Sequence, residues 1–150
     1  MDKSTFVMNF FREINDEAYP LETTAELLVQ SIVDYVASAA PLQSNAQAIK
    51  EGIGLTILFK PFDLEVFCKG SYKLFEYQEN IVSKCYQLHF FLKERDKDVT
   101  VLKVYITDDN HIVLDVYGQD SICDASKENK GMRVFNLLLR SLYENGIIKI

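Results

Sequence analysis

Three cysteines and two histidines bound the nucleophilic and metal chemistry open to this 150-residue chain. Cys85 and His89 are the pair to consider first, because a thiolate nucleophile needs an adjacent imidazole or cation to lower its pKa. Their setting argues against a dyad. From Val82 to Lys93, Tyr86, Leu88, Phe90 and Leu92 alternate with Ser83, Cys85, Gln87 and His89, which is the period of a strand. Four residues of strand span about 13 Å, whereas only a helix would bring the two side chains together. The expectation is a separate thiol and imidazole on a half-exposed sheet face.

His111 follows Asp108-Asp109, a placement that would suit a base with an orienting carboxylate, or a metal site. Asp108-Asp109-Asn110 reads better as a hairpin loop, since such side chains bond the local backbone and the glycine and distal glutamate of a calcium loop are missing. Cys68, Cys85 and Cys123 are widely spaced, with no CxxC pair for zinc or redox work. No GxGxxG, GxxxxGK[ST], HExxH or GxSxG string occurs. Gly52-Ile53-Gly54 precedes a strand where a phosphate cradle precedes a helix, and reads as a helix stop. Lys127, Lys130, Arg133 and Arg140 lack the interleaved aromatics of a nucleic-acid surface and read as a solvated face. No catalytic residue, metal or cofactor is assigned on these grounds, and the expectation is a protein that is not an enzyme.

Charge is more informative than motif. The formal net charge is −6, which disfavours nucleic acid and anionic membranes as partners. Residues 1–52 hold 8 acids against 3 bases, residues 53–118 hold 10 against 8, and residues 119–150 hold 4 against 5. The excess therefore lies in the first third, as Glu13, Asp16, Glu17, Glu22 and Glu26 around one turn. Helix N-terminal acids and solubility account for Glu22 and Glu26 without any function. The functional alternative is a patch that steers a basic protein into contact. A second candidate surface is the mixed face of the sheet, where His89, Lys103, Tyr105, Asp115 and Tyr117 combine tyrosines with charges as interface cores do.

These residues need elements to hold them. Phe6, Phe10 and Ile14 recur at helical spacing behind a Ser4 or Thr5 cap. Thr23-Thr24-Ala25-Glu26 is a capping box, after which Ala25, Leu28, Val29, Ile32, Val33 and Val36 form a buried stripe that Pro41 ends. Residues 44–52 read as another short helix. From Ile53 the period becomes two: strands are expected at 53–60, 64–69, 72–77, 82–93, 99–107 and 111–117, with Gly70-Ser71 as a break. Residues 118–130 read as a polar loop, Met132–Glu144 as a helix closed by Asn145-Gly146, and 147–150 as a possible edge strand. With Asn110 left-handed in the hairpin loop, Ile106 faces Ile112, Val104 faces Leu114, Leu102 faces Val116 and Lys103 faces Asp115. Carried through the Arg95-Asp96-Lys97 turn, the register sets Phe90 opposite Leu102 and His89 beside Lys103, flanked by Gln87 and by Phe91 and Val101.

The expected fold is α+β, one domain over residues 1–150: a helical layer (1–52), a mainly antiparallel meander of five or six strands (53–118), and a C-terminal helix packed on it (131–150). No run of about 18 apolar residues marks a membrane span. The odd, dispersed cysteines and the lack of a signal peptide fit the cytoplasm. The leading functional expectation is an acidic domain that blocks or escorts another, basic protein, as an immunity protein, inhibitor or secretion chaperone would. The alternative is a small-molecule binder or enzyme with a pocket between helices and sheet, using His89, Lys103 and Asp115. A cavity of several hundred Å³ lined by those three would favour the alternative.

Overall fold

The computed structural model describes residues 3–15, 20–117 and 121–148. Helices α1 (Lys3–Asn15), α2 (Leu21–Val36) and the one-turn α3 (Ala40–Asn45) precede seven strands. These are β1 (Ala46–Glu51), β2 (Gly54–Phe59), β3 (Leu64–Gln78), β4 (Ile81–Glu94), β5 (Lys97–Thr107), β6 (His111–Val113) and β7 (Ser121–Asp124), followed by α4 (Lys130–Glu144). Each strand pairs antiparallel with its sequence neighbours, in the order β1 to β7, and the sheet curls into a half-barrel. The α+β architecture expected from the period change is therefore present, with a C-terminal helix packed on the sheet.

The core lies between the inner face of the sheet and the pair α2 and α4. Helix α2 buries Leu21, Ala25, Leu28, Val29, Ile32 and Val36, a stripe at spacings of three and four that faces one side. Helix α4 answers with Gly131, Val134, Phe135, Leu138 and Leu142. The sheet contributes Leu55, Ile57, Val66, Leu88, Phe90, Val104 and Ile106, alternate residues of the central strands.

Several local expectations are corrected. Helix α2 starts two residues before the proposed capping box, because the earlier turn buries Leu21. The Pro20 carbonyl accepts from the Thr24 amide at 3.1 Å and no side chain caps the helix. Val36, rather than Pro41, marks the end of α2, and Pro41 sits in the first turn of α3. Residues 46–51 are a strand and not a helix: their helix-favouring composition is overridden by pairing along the whole of β2, Ala46 opposite Phe59 through Glu51 opposite Gly54. Gly52, at φ 62°, then serves a two-residue hairpin turn in place of a helix stop.

The Gly70-Ser71 break does not exist, and β3 runs unbroken through it. Gly70 is there for close approach: a Cβ at this position would lie 2.4 Å from Cε1 of Tyr86 and 2.8 Å from Cγ2 of Ile53. The polar loop after Gly118 contains β7, so the sheet has seven strands and spans residues 46–124. The described part of the proposed C-terminal strand, Ile147 and Ile148, is a helix-closing turn in which both amides donate to the Leu142 carbonyl. Helix α4 does end at Asn145-Gly146 as expected.

The register holds where the site depends on it. His89 faces Lys103, Phe90 faces Leu102, Gln87 faces Tyr105, and Ile106 faces Ile112. Asn110 is left-handed, at φ 67°. Two departures matter. A bulge at Phe90/Phe91 sets Phe91 opposite Thr100 instead of Val101. Strand β6 stops at Val113, so the Val104–Leu114, Leu102–Val116 and Lys103–Asp115 pairs do not form. Among the described residues no helix is long and apolar enough to cross a membrane.

Candidate functional site

The outer face of the sheet, away from α2 and α4, collects the residues with chemical potential. Three strands set Lys69, His89 and Lys103 side by side, one from each of β3, β4 and β5. The next row is Ser71, Gln87, Tyr105 and Val113, and the one after it is Lys73, Cys85 and Thr107. On the other side of the lysine row, Phe67 and Phe91 pair with ring centroids 5.8 Å apart. Lysine stems lie over both rings: Lys69 Nζ is 5.0 Å from the Phe91 centroid and Lys93 Nζ is 4.5 Å from that of Phe67.

Where β6 ends, the chain turns across this face. Leu114–Tyr117 lie over the second and third rows and leave a cavity of about 260 Å³ walled by Lys73, Cys85, Gln87, Tyr105, Asp115 and Tyr117. Tyr117 packs edge-on against Phe75 at 5.6 Å, and Asp115 Oδ1 accepts the Tyr117 amide at 2.9 Å, which shapes the turn. Gln87, 8% exposed, is the one buried polar residue among those described, and it lines this cavity. A second cavity of about 250 Å³ shares Asp115 and Val116 and reaches His111, whose Nδ1 is enclosed without a hydrogen-bond partner among the described residues.

His89 donates to or accepts from the Thr100 hydroxyl at 2.7 Å. Its pKa is lowered, first by desolvation and then by the Lys103 and Lys69 charges, with Asp98 working the other way. The row is thus neutral imidazole between two ammonium groups, the nearest carboxylate being Asp98 at 3.9 Å from Lys69.

Cys85 is not the half-exposed thiol expected from its alternation. The crossing segment reduces it to 1% exposure, and burial, followed by the Asp108 charge, pushes its pKa up to about 11. A thiol held neutral so far above pH 7 is no nucleophile, and His89 stands four strand residues away. Cys68 and Cys123 are also buried and raised by burial. Among the described residues no three His, Cys, Asp or Glu side chains form a metal-sized group.

The Cys85 shift has a measurable consequence. Unfolded, this thiol ionises near pH 9.0; folded, it ionises near pH 11. The fold therefore prefers the thiol, and the stability it contributes is intact below pH 9 and lost as pH rises towards 11. In reducing buffer, the urea midpoint is expected to fall over that interval, and Cys85→Ala is expected to flatten part of the fall. A wild-type midpoint level to pH 11 would refute this.

The acidic cluster does not stand as one free patch. Glu13 Oε1 accepts the Lys84 amide at 3.0 Å, capping β4 where it runs past the end of β5. Glu26 pairs with Lys50 of β1 at 3.0 Å. Glu22 sits by the Tyr72 phenol, whose pKa is raised by burial and then by the Glu22 charge. Asp16 and Glu17 lie outside the described residues.

Of the mixed-face residues, His89 and Lys103 meet as expected, and Tyr105, Asp115 and Tyr117 meet around the cavity. Asp115 does not join the His89–Lys103 row, since β6 ends too early. No family model matches the chain, and neither a curated protein nor a solved structure does. The site rests on its own geometry. The residues that sequence reasoning passed over are Lys69, Lys73 and Phe75. Their signal was present: Glu65, Phe67, Lys69, Ser71, Lys73 and Phe75 alternate unbroken through Gly70.

Proposed function

We propose that this protein is a non-enzymatic acidic binding domain that blocks or escorts another protein, in the manner of an immunity protein, an inhibitor or a secretion chaperone. The observation that carries the reading is the outward side of α1. Val7, Met8 and Phe11 are neighbours on that helix and are 48%, 62% and 57% exposed. The helix is anchored by polar contacts, Asn9 to the Asn80 carbonyl and Glu13 to the Lys84 amide, with Phe6 and Phe10 half-buried and Phe11 against the Phe10 ring, and it turns Val7 and Met8 outward. An amphipathic helix presenting spaced apolar anchors is a common way to fill a groove on a partner. The net charge of −6, concentrated in the first third, favours a partner with a basic surface through long-range attraction. The three unpaired cysteines suit the reducing cytoplasm.

A photo-crosslinking residue placed at position 8 or 11 in the native host tests this. A discrete adduct with a second, basic protein is expected from both sites, and none from position 128, an exposed residue just before α4. Met8→Glu with Phe11→Glu, crosslinked from position 7, is expected to lose the adduct while keeping its circular dichroism. The absence of any adduct from positions 8 and 11 would overturn the reading, and so would adducts only between copies of this chain.

A further inference from the structure

We propose that the outer face of the sheet binds a nucleoside monophosphate, its phosphate on the Lys69–His89–Lys103 row and its base in the cavity beside Gln87, Tyr105 and Asp115. This site is separate from α1 and does not depend on the partner-binding reading.

Four observations converge. The first is the local reversal of charge: on a chain of net −6, Lys69 and Lys103 flank one imidazole, with Lys73 two rows further along β3 and Asp98 the carboxylate among them. Such a cluster raises the free energy of the empty face, and a dianion relieves it. Second, the donors match a phosphate. Two ammonium groups flank a ring whose protonation is disfavoured first by desolvation and then by those same neighbours, so an arriving anion offsets the share that the lysines contribute.

Third, the adjoining cavity suits one heterocycle. It offers aromatic walls in Tyr105, Tyr117 and Phe75, a carboxylate in Asp115, and a nearly buried amide in Gln87 that can both donate and accept. At about 260 Å³ it is below the size of a typical drug site and near that of a single ring system. Fourth, the spacing connects the two. Gln87 and His89 on β4, like Tyr105 and Lys103 on β5, are two residues apart, about 6.6 Å along the strand. A ribose bridges that gap, whereas an aryl phosphate places ring and phosphate too close for both. The overall negative charge disfavours a long polyanion at the same face, which is why a mononucleotide fits better than a nucleic-acid strand.

Isothermal titration of the full chain with AMP, GMP, CMP and UMP, with the matching nucleosides and with inorganic phosphate, tests the proposal. At least one mononucleotide is expected to bind, with its nucleoside and inorganic phosphate each weaker by about tenfold or more, as loss of charge-assisted bonds or of ring contacts requires. Lys69→Ala and Lys103→Ala, both on the exposed side, are each expected to weaken binding by about three- to tenfold with unchanged thermal midpoints. Gln87→Met is expected to alter the preference among the four bases. Three results would overturn the proposal: no binding of any mononucleotide at millimolar concentration, equal binding of phosphate and nucleotide, or nucleotide binding indifferent to both lysine variants.

Discussion

Phe135→Ala is expected to lower the free energy of unfolding by about 3–5 kcal/mol, the range for removing a buried phenyl ring and leaving a cavity. Phe135 is 1% exposed and is the common contact of three elements. On α4 itself, it meets Tyr35 of α2 edge-on at 5.7 Å and stacks on Phe59 of β2 at 6.0 Å. Each neighbour is fixed from behind by its own helix or strand, so the void cannot close by a local shift. Against a total stability of about 5–15 kcal/mol, the loss is a large fraction. For a chain of this size it corresponds to a melting temperature lower by about 6–20 °C. Phe135→Leu keeps most of the volume and is expected to lose less than half as much. Urea unfolding measures both; a Phe135→Ala loss under about 1 kcal/mol would show that the three elements are not clamped at this ring.

Gly131→Ala is the second large effect, and its sign runs against helix propensity. In an exposed helix, alanine for glycine gains about 1 kcal/mol. At position 131 the added Cβ would lie 2.4 Å from the backbone carbon and oxygen of Ser31 on α2, a separation no real contact shows. The Gly131 amide also donates to Ser31 Oγ at 3.0 Å, so the two helices are bonded where they are closest. The methyl group must push α4 off α2, and overpacking of this kind costs about 1–3 kcal/mol beyond the propensity gain. Ser31→Ala is the discriminating companion. It removes the hydroxyl but not the backbone atoms, so the double variant is expected to be no more stable than Gly131→Ala alone. Rescue by Ser31→Ala would mean that the side chain, and not the backbone, sets the approach.

What the residue order revealed follows from which forces act locally. The stripe on α2 and the alternation in β4 are strong because each buries one face, and both were legible with the register that sets His89 beside Lys103. Residues 46–51 were misread because nothing in Ala-Gln-Ala-Ile-Lys-Glu favours a strand until β2 supplies the partner edge. Gly70-Ser71 looked like punctuation because a glycine needed for close approach and one needed for a turn are the same letter. The outer-face cavity was hidden for a different reason. It depends on β6 ending at Val113 and on the next four residues crossing the sheet, where Asp115 turns the backbone at Tyr117 and the segment covers Cys85, an arrangement that no alternation pattern announces. The acidic cluster was legible as composition, while the contacts of Glu13 and Glu26 with Lys84 and Lys50 required the fold.

The one-neighbour-at-a-time order of the strands also bears on how the chain reaches this structure. From β1 to β6 each ladder forms between segments joined by only two to four residues, so loop closure stays cheap and this part of the sheet can grow by successive hairpins. The seam between Ser31 and Gly131 joins residues 100 apart and has no such shortcut. Docking of α4 onto α2 is therefore expected to follow formation of the sheet that supports both, so that the Gly131→Ala loss appears as faster unfolding with the refolding rate nearly unchanged; a matching fall in the refolding rate would overturn this order.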